Sequence, residues 1–269
     1  MHLSNPSGPF QGLPKEDVFF ASSDDFIQLG YGYVVLSMQE KLYPERPLQI
    51  YICIEAQPAA RSLLLGALLA RAEVLRAGFS NIKCRIYTRI EANNWDLLNF
   101  YTKSGFVNNN AEEEYIFSLS EEKAPTPPMG CQFASVPLQD THQCSDFLSR
   151  LNAFRLSPIP MDYLTLQMQQ PYFMALGFYR GGQPLAEMIM SGSNPNTAGL
   201  IMLYVQPEYR RRGLGSSLVR CGASLLKSRG LNQCLAQIYS NNSAQAGLLK
   251  SLDASRRRIV AMLPGIDIG

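Results

Sequence analysis

The segment of the chain best suited to chemistry is Leu203–Gly215, which reads LYVQPEYRRRGLG. Its apolar start is strand-like, Pro207 takes the chain out of the strand ladder, and Gly213 and Gly215 open a helix. The first turn of a helix presents N–H groups that have no partner within the helix, and it therefore attracts anions. Arg210–Arg212 add positive charge beside this turn. The pattern predicts a phosphate or pyrophosphate site. The alternative is a solvated basic turn before an ordinary helix.

Two common nucleotide-binding loops fit this segment less well. A P-loop requires Gly-Lys-Ser/Thr, whereas Gly215 is followed by Ser216 and Ser217 with no lysine. A dinucleotide-binding loop requires three glycines at GxGxxG spacing, and the third position holds Leu218. The segment therefore indicates a different kind of phosphate site.

The order of this segment, a strand, then Arg-x-x-Gly-x-Gly, then a helix, closely resembles motif A of the GNAT N-acetyltransferase superfamily. The resemblance extends over about residues 131–263. It implies that the loop amides hold the pyrophosphate of coenzyme A. It also implies that the end of the preceding strand splays from its neighbour and hydrogen-bonds the pantetheine and the acetyl carbonyl. The implied cofactor is acetyl-CoA, and the residues implied to bind it are Leu203, Val205, Arg210, Arg211, Arg212, Gly213, Leu214, Gly215, Ser216 and Asn242.

The same resemblance directs attention to a general acid. Family members often carry Asn-x6-Tyr-x3-Gly-Phe on the last helix, where the tyrosine protonates the departing thiolate. The second half of this chain keeps the asparagine as Asn242 but has Leu249 at the tyrosine position, and a leucine cannot donate a proton. Tyr239, on the preceding predicted strand, is the substitute candidate. The alternative for Tyr239 is a structural tyrosine at a strand end.

Acetyl transfer to an amine also needs a base that removes a proton from the amine. In the family this base is frequently a carboxylate on a central strand. Glu187 is the leading candidate because it is the lone charge in the apolar run Leu185–Met190. The alternative is a glutamate on the solvent face of that strand. The resemblance further implies that the helices within Thr141–Gln170 cover the acceptor.

The chain contains a two-copy repeat, in which short identities recur at a nearly constant offset: Gln57-Pro58 with Gln206-Pro207, Gly66 with Gly215, and Asn93-Asn94 with Asn241-Asn242. Strands and helices alternate in both copies, which predicts an α/β fold of two tandem GNAT-like domains, each a twisted mixed sheet flanked by helices. Residues 120–130 are rich in proline and predict a linker between domains 1–119 and 131–269. We expect strands at 26–38, 48–54, 82–90, 173–179, 185–190, 200–205 and 234–239 and helices at 60–76, 95–104, 215–228 and 243–252.

Whereas the second copy keeps the loop glycine but lacks the tyrosine, the first copy keeps the downstream pattern but lacks the loop glycine. Its downstream pattern is complete, with Asn94, Tyr101, Gly105 and Phe106 in place. Its counterpart of the phosphate loop, however, has Leu64 at the position of the first glycine, where a side chain should block close approach of a phosphate. The hypothesis is that this copy has lost tight cofactor binding and serves as a scaffold or as a wall of the substrate site.

Composition is that of an ordinary globular chain, with 46% hydrophobic residues and 17% charged residues, and the net charge of +2 gives no support to nucleic-acid binding. The six cysteines form no CxxC pair and the two histidines lie far apart, so no metal site is predicted. The first residues lack the features of a signal peptide, and no apolar run is long enough for a membrane span. We therefore expect a cytoplasmic protein with free thiols. A second arginine triplet, Arg256–Arg258, is interpreted as a solvated strand entry, and the alternative is a site for an acidic substrate or RNA.

Together these features predict an acyltransferase, an acetyl-CoA-dependent N-acetyltransferase acting on a primary amine of a small molecule or peptide. The alternative is a non-catalytic acyl-CoA-binding or regulatory protein, which the leucine at position 249 favours. The expected partners are the amine substrate and a second copy of the chain in a homodimer, with no nucleic acid and no membrane.

Overall fold

The elements below come from a computed structural model, which describes residues 1–40, 43–79, 81–119, 126–153 and 159–268. The strands are β1 His2–Ser4, β2 Val18–Ser22, β3 Gln28–Met38, β4 Leu48–Ala56, β5 Cys84–Tyr87, β6 Ile90–Glu91, β7 Ala111–Ser118, β8 Gln132–Ser135, β9 Met174–Arg180, β10 Gln183–Ser191, β11 Thr197–Val205, β12 Gln233–Tyr239, β13 Ser255–Met262 and β14 Gly265–Ile268. The helices are α1 Pro58–Ala77, α2 Trp95–Lys103, α3 Thr141–Asn152, α4 Met161–Met168, α5 Leu214–Ser228 and α6 Ser243–Ser251, with short 3-10 turns at Lys15–Asp17 and Pro207–Tyr209. Strands and helices alternate through both halves, and the predicted mixed α/β architecture is confirmed.

The chain divides into two compact units, and their boundaries differ from the predicted domains. The first unit is Met1–Asn110 together with Ala261–Gly269, and the second is Ala111–Val260. The predicted domains were 1–119 and 131–269. Of the predicted linker, residues 120–125 lie outside the described residues, and the described remainder contains a turn in which the Cys131 N–H donates to the Pro128 carbonyl oxygen at 2.9 Å.

The sheet of the first unit has the strand order β1-β2-β3-β4-β5-β14. Strands β4 and β5 are parallel, and β14, from the far end of the chain, pairs antiparallel with β5. Helix α1 begins directly after β4, at Pro58, where the missing N–H of proline costs no helical hydrogen bond. Its buried Leu64 and Leu68 pack in one cluster with sheet residues such as Ile50 and Ile52. Within this unit β6 pairs with Ala261 and Met262, the last residues of β13.

The sheet of the second unit runs in the order β13-β7-β12-β11-β10-β9-β8. Strand β7 comes from the first half of the sequence and pairs antiparallel with β12. Each half of the chain therefore contributes one strand to the sheet that is built mostly by the other half. Strand pairing is made by backbone groups, so this exchange leaves little trace in the side-chain pattern.

Both faces of the second sheet are covered by helices. On one face, α5 packs Leu218 and Leu226 in a cluster with Met188 of β10. On the other face, α3 packs Phe147 in a cluster with Ile189, the next residue of the same strand. Because successive side chains of a strand point to opposite faces, β10 is buried on both sides. A charge in the middle of β10 is therefore a charge in the core.

Candidate functional site

Strand β11 leads to the predicted loop, and it leaves its parallel neighbour before it ends. The parallel ladder with β12 ends at the pair Leu200 and Ala236. On the other side, the register with β10 shifts at this same point, so Ile201 is an extra residue that forms a bulge. A bulge bends a strand and increases its twist. The remainder of β11, with Leu203 and Val205, therefore diverges from β12, as the resemblance implied.

The loop after β11 ends at Gly213, whose backbone conformation favours glycine. Gly213 has φ +78°, a left-handed conformation that costs other residues energy, and a Cβ at this position would meet nothing within 4 Å. Gly213 is the N-cap of α5, and the cap carries no side-chain hydrogen bond to the first helical N–H groups. The Ser217 N–H and the Ser216 hydroxyl both donate to the Gly213 carbonyl oxygen, at 2.9 and 3.0 Å. The helix start thus presents amides that a diphosphate can bind.

At Gly215 a side chain is disfavoured by the lack of space around the residue rather than by its backbone conformation. A Cβ on Gly215 would lie 3.3 Å from Leu203 Cδ2 and 3.4 Å from Val205 Cγ2. The first turn of α5 therefore packs closely against the diverging end of β11. This contact brings the helix start and the strand edge into one site, which fits a ligand with a diphosphate at one end and an amide-containing chain at the other.

The three loop arginines are exposed, and they have different roles in the structure. Arg210 Nε donates to the Val205 carbonyl oxygen at 3.0 Å and so ties the loop to the strand end. Arg211 has φ +59°. The guanidinium carbon of Arg212 lies 5.7 Å from the centroid of the Tyr209 ring, within the range of a cation–π contact. The sequence predicted one basic cluster, and the structure separates it into an anchored Arg210 and an outer Arg212.

Glu187, the predicted base, is completely buried. Arg150, in the last turn of α3, donates to it twice, from Nε to Oε2 at 2.7 Å and from Nη2 to Oε1 at 2.9 Å. The Tyr179 hydroxyl donates to the same Oε1 at 3.1 Å. The hydrogen bond to Glu187 raises the pKa of Arg150, and burial followed by the charge of Glu187 raises the pKa of Tyr179. The solvent-face alternative for Glu187 was therefore wrong.

Arg150 and Tyr179 were not singled out from the sequence. Arg150 lies in an amphipathic helix where a basic residue in the last turn is ordinary, and Tyr179 lies near a strand end. The available signal was the lone charge in β10, because a buried carboxylate requires a cationic partner. The sequence does not indicate which of the many arginines that partner is.

The predicted residues after β12 have structural contacts. Asn242 is the N-cap of α6, and its Oδ1 accepts from the Gln245 N–H at 3.1 Å. Tyr239 is half-buried at the end of β12, and its N–H donates to Gln245 Oε1 at 3.0 Å. Leu249, a residue of α6, is buried in the same core cluster as the apolar residues of α5. The position that carries a tyrosine in the resembled pattern is thus occupied by a core side chain.

The first-unit counterpart of the loop is a helix. Residues that align with the loop lie inside α1, and Leu64 is completely buried there. One feature is shared with the second unit, since Arg61 Nε donates to the carbonyl oxygen of Ala56, at 3.4 Å, as Arg210 does to Val205. Tyr101 is completely buried beside Phe106.

Other site chemistries find little support in the described residues. The described part of the chain holds no group of three or more His, Cys, Asp or Glu placed to bind a metal. All six cysteines are free thiols, as predicted, and four of them are buried. None of the helices that the structure describes combines the length and apolarity needed to cross a membrane.

Among the comparisons with known proteins, the family match lies in the second half of the chain, whereas the structural matches extend over both halves. The model of the acetyltransferase (GNAT) family matches residues 142–253. A GCN5-related N-acetyltransferase from Sphaerobacter thermophilus is similar in structure, with a TM-score of 0.53 and 13% identity over 96% of this chain and 82% of its own. A glucosamine N-acetyltransferase region of a fungal multi-domain β-N-acetylglucosaminidase has a TM-score of 0.51 and 15% identity, covering 95% of this chain and 35% of its own. At these identities the structural likenesses show the fold alone. No curated protein sequence matches the chain.

Proposed function

We propose that the protein is an N-acetyltransferase, because the model of the acetyltransferase (GNAT) family matches residues 142–253. It transfers the acetyl group of acetyl-CoA to a primary amine of a small molecule or peptide. One observation carries the proposal: the ladder between β11 and β12 ends at Leu200, and the free end of β11 packs against a helix start at Gly213 that no side chain caps. A strand edge beside an anion site fits a long ligand whose amide-bearing arm ends in a diphosphate.

The donor is held by the residues that the loop and strand present. Amides from Gly213 to Ser216 bind the pyrophosphate, while Leu203 and Val205 offer backbone groups to the pantetheine arm. Bound acetyl-CoA supplies the activated acetyl group as a thioester. The protein contributes position, since Gly215 keeps the helix start against Leu203 and Val205.

Glu187 has a different role in this proposal from the one that the sequence suggested. A carboxylate that accepts two hydrogen bonds from Arg150 and one from Tyr179 has most of its acceptor positions occupied by the protein. We therefore assign Glu187 to positioning, because it holds Arg150 and with it the last turn of α3. Protonation of the thiolate by Tyr239 stays a prediction that Tyr239→Phe tests.

The decisive experiment measures the release of free thiol from acetyl-CoA in the presence of a panel of primary amines. The proposal expects amine-dependent release and an acetylated product detected by mass spectrometry. Slow release that no amine accelerates would support the alternative, an acyl-CoA-binding protein without catalysis. A wild-type protein that does not bind acetyl-CoA in isothermal titration would contradict both.

The remaining expectations belong to the same proposal. The first unit binds no acetyl-CoA and acts as a scaffold, which the helical conformation and buried Leu64 of its loop counterpart support. Cytoplasmic location and a homodimer stay predictions. Sedimentation of the purified protein tests the homodimer.

A further inference from the structure

An aromatic ring beside the loop collects two arginines, and one of them comes from outside the motif. The guanidinium carbon of Arg180 lies 5.9 Å from the centroid of the Tyr209 ring, and that of Arg212 lies 5.7 Å from the same centroid. Arg180 is the last residue of β9, at the turn into β10. Its Nη2 also donates to the Met129 carbonyl oxygen at 3.4 Å. This Arg180–Tyr209–Arg212 cluster joins the β9–β10 hairpin to the loop.

The cluster holds positive charge that lacks an acidic partner. Both arginines are exposed, and within the described ranges neither forms an ion pair with a carboxylate. Glu208, the sequence neighbour of Tyr209, makes no such pair with them in the described structure. Two guanidinium groups that contact one ring make this part of the surface positively charged, and a phosphate there can accept hydrogen bonds from them. The cluster is therefore a site prepared for an anion.

Other arginines of this unit show the contrast. Arg256 pairs with Glu113, and both Arg257 and Arg258 pair with Glu114, each at 3.0 Å. This second triplet has its counter-charge within the fold. Among the residues that the structure describes, no carboxylate pairs with the cluster at Tyr209, which lies next to a loop that already presents helix amides to an anion.

We propose that the Arg180–Tyr209–Arg212 cluster binds the 3′-phosphate on the ribose of coenzyme A, an inference that rests on the proposed function. The amides at Gly213 bind the pyrophosphate, and the ribose 3′-phosphate is a second, separate anion only a few bonds away in the same ligand. A guanidinium matches a phosphate with parallel hydrogen bonds. The Tyr209 ring holds both guanidinium groups in place before the ligand arrives. The site thereby selects the 3′-phosphorylated donor over acetyl thioesters that lack this phosphate.

The test is a titration of two ligands into matched variants. Acetyl-CoA and 3′-dephospho-acetyl-CoA are titrated by calorimetry into wild type, Arg180→Gln and Arg180→Lys. Arg180→Gln is expected to weaken acetyl-CoA binding about tenfold, equivalent to about 1.4 kcal/mol, and to leave binding of the dephospho ligand nearly unchanged. Arg180→Lys, which keeps the charge, is expected to fall between wild type and Arg180→Gln. The control is Arg229→Gln, which removes an exposed arginine at the far end of α5.

The outcomes separate this inference from the proposed function. Equal binding of both ligands by wild type overturns the inference while acetyl-CoA binding itself stands. Equal weakening of both ligands by Arg180→Gln also overturns it, because Arg180 would then act only on the loop. A similar loss of acetyl-CoA affinity in Arg229→Gln would overturn it as well, because the effect of Arg180→Gln would then follow from net charge alone. If neither ligand binds wild type, the proposed function fails together with the inference.

Discussion

The most direct test of the donor site replaces Gly213 with alanine. Gly213 has φ +78°, and a Cβ there would contact nothing within 4 Å, so the change acts through backbone strain alone. A left-handed conformation costs an alanine about 1–2 kcal/mol. If binding requires this conformation, the dissociation constant of acetyl-CoA should rise by a factor of about 5–30.

The repeat provides a matched control at Gly66, which aligns with Gly215. Gly66 is exposed in the interior of α1, has no positive φ, and a Cβ there would also meet nothing within 4 Å. Alanine is favoured over glycine inside a helix by about 1 kcal/mol. Gly66→Ala should therefore stabilise the protein and leave acetyl-CoA binding as it is.

Both variants are measured by calorimetric titration and by thermal unfolding. A change of 1 kcal/mol corresponds to about 2–4 °C in a chain of this size, so Gly66→Ala should raise the melting temperature of the free protein by about this amount. Gly213→Ala should change it less, because strain that weakens binding is strain that the free protein has released. Unchanged acetyl-CoA affinity in Gly213→Ala would refute the assignment of the loop. Weakened affinity in Gly66→Ala would show that the first unit takes part in binding.

Three further predictions concern stoichiometry, the buried ion pair and thiol reactivity. Calorimetry is expected to give one equivalent of acetyl-CoA per chain, because Leu64 fills the helix that replaces the loop in the first unit; two equivalents would contradict this. Glu187→Gln should destabilise the fold by about 3 kcal/mol, since Arg150 loses a buried counter-charge; an unchanged melting curve with a large fall in kcat would identify Glu187 as the base instead. Burial raises the pKa of the Cys234 thiol to about 12, so this thiol stays protonated at pH 8. Iodoacetamide should then reach Cys234 only after unfolding, as read by mass spectrometry, and rapid labelling of the native protein would refute the burial.

Sequence patterns were sufficient for the elements that carry a helical or strand period. The helix expected at 60–76 is found at Pro58–Ala77, and the strand expected at 200–205 forms the end of Thr197–Val205. Strand β7 was missed because three glutamates, Glu112–Glu114, follow its first residue, and glutamate is a poor strand former. The arginines of β13 compensate the charge of Glu113 and Glu114. That compensation is a tertiary contact between segments far apart in sequence, and no local pattern predicts it.

The donor loop was predictable because its chemistry is local. Gly213 and the start of α5 lie within a few residues of one another, and backbone conformation alone brings them together. Glu187 was predictable only as a charge among apolar residues. Its partners Arg150 and Tyr179 come from α3 and β9, so the difference between a base and a structural ion pair depends on packing.

In the first unit, the residues of the downstream family pattern have structural contacts. Asn94 caps α2 by accepting from the Leu97 N–H at 3.1 Å, and Tyr101 and Phe106 fill the core. Gly105 has φ +90°, which ends the helix in a conformation that favours glycine. Each of these residues therefore has a structural role, whereas α1 extends over the positions that align with the loop glycines. In the second unit the downstream pattern is incomplete. Asn242 caps α6 as Asn94 caps α2, but Leu249 occupies the core position of the tyrosine. A complete downstream pattern is therefore evidence of the fold, and the proposed function predicts that the loop glycine with positive φ distinguishes the unit that binds the donor.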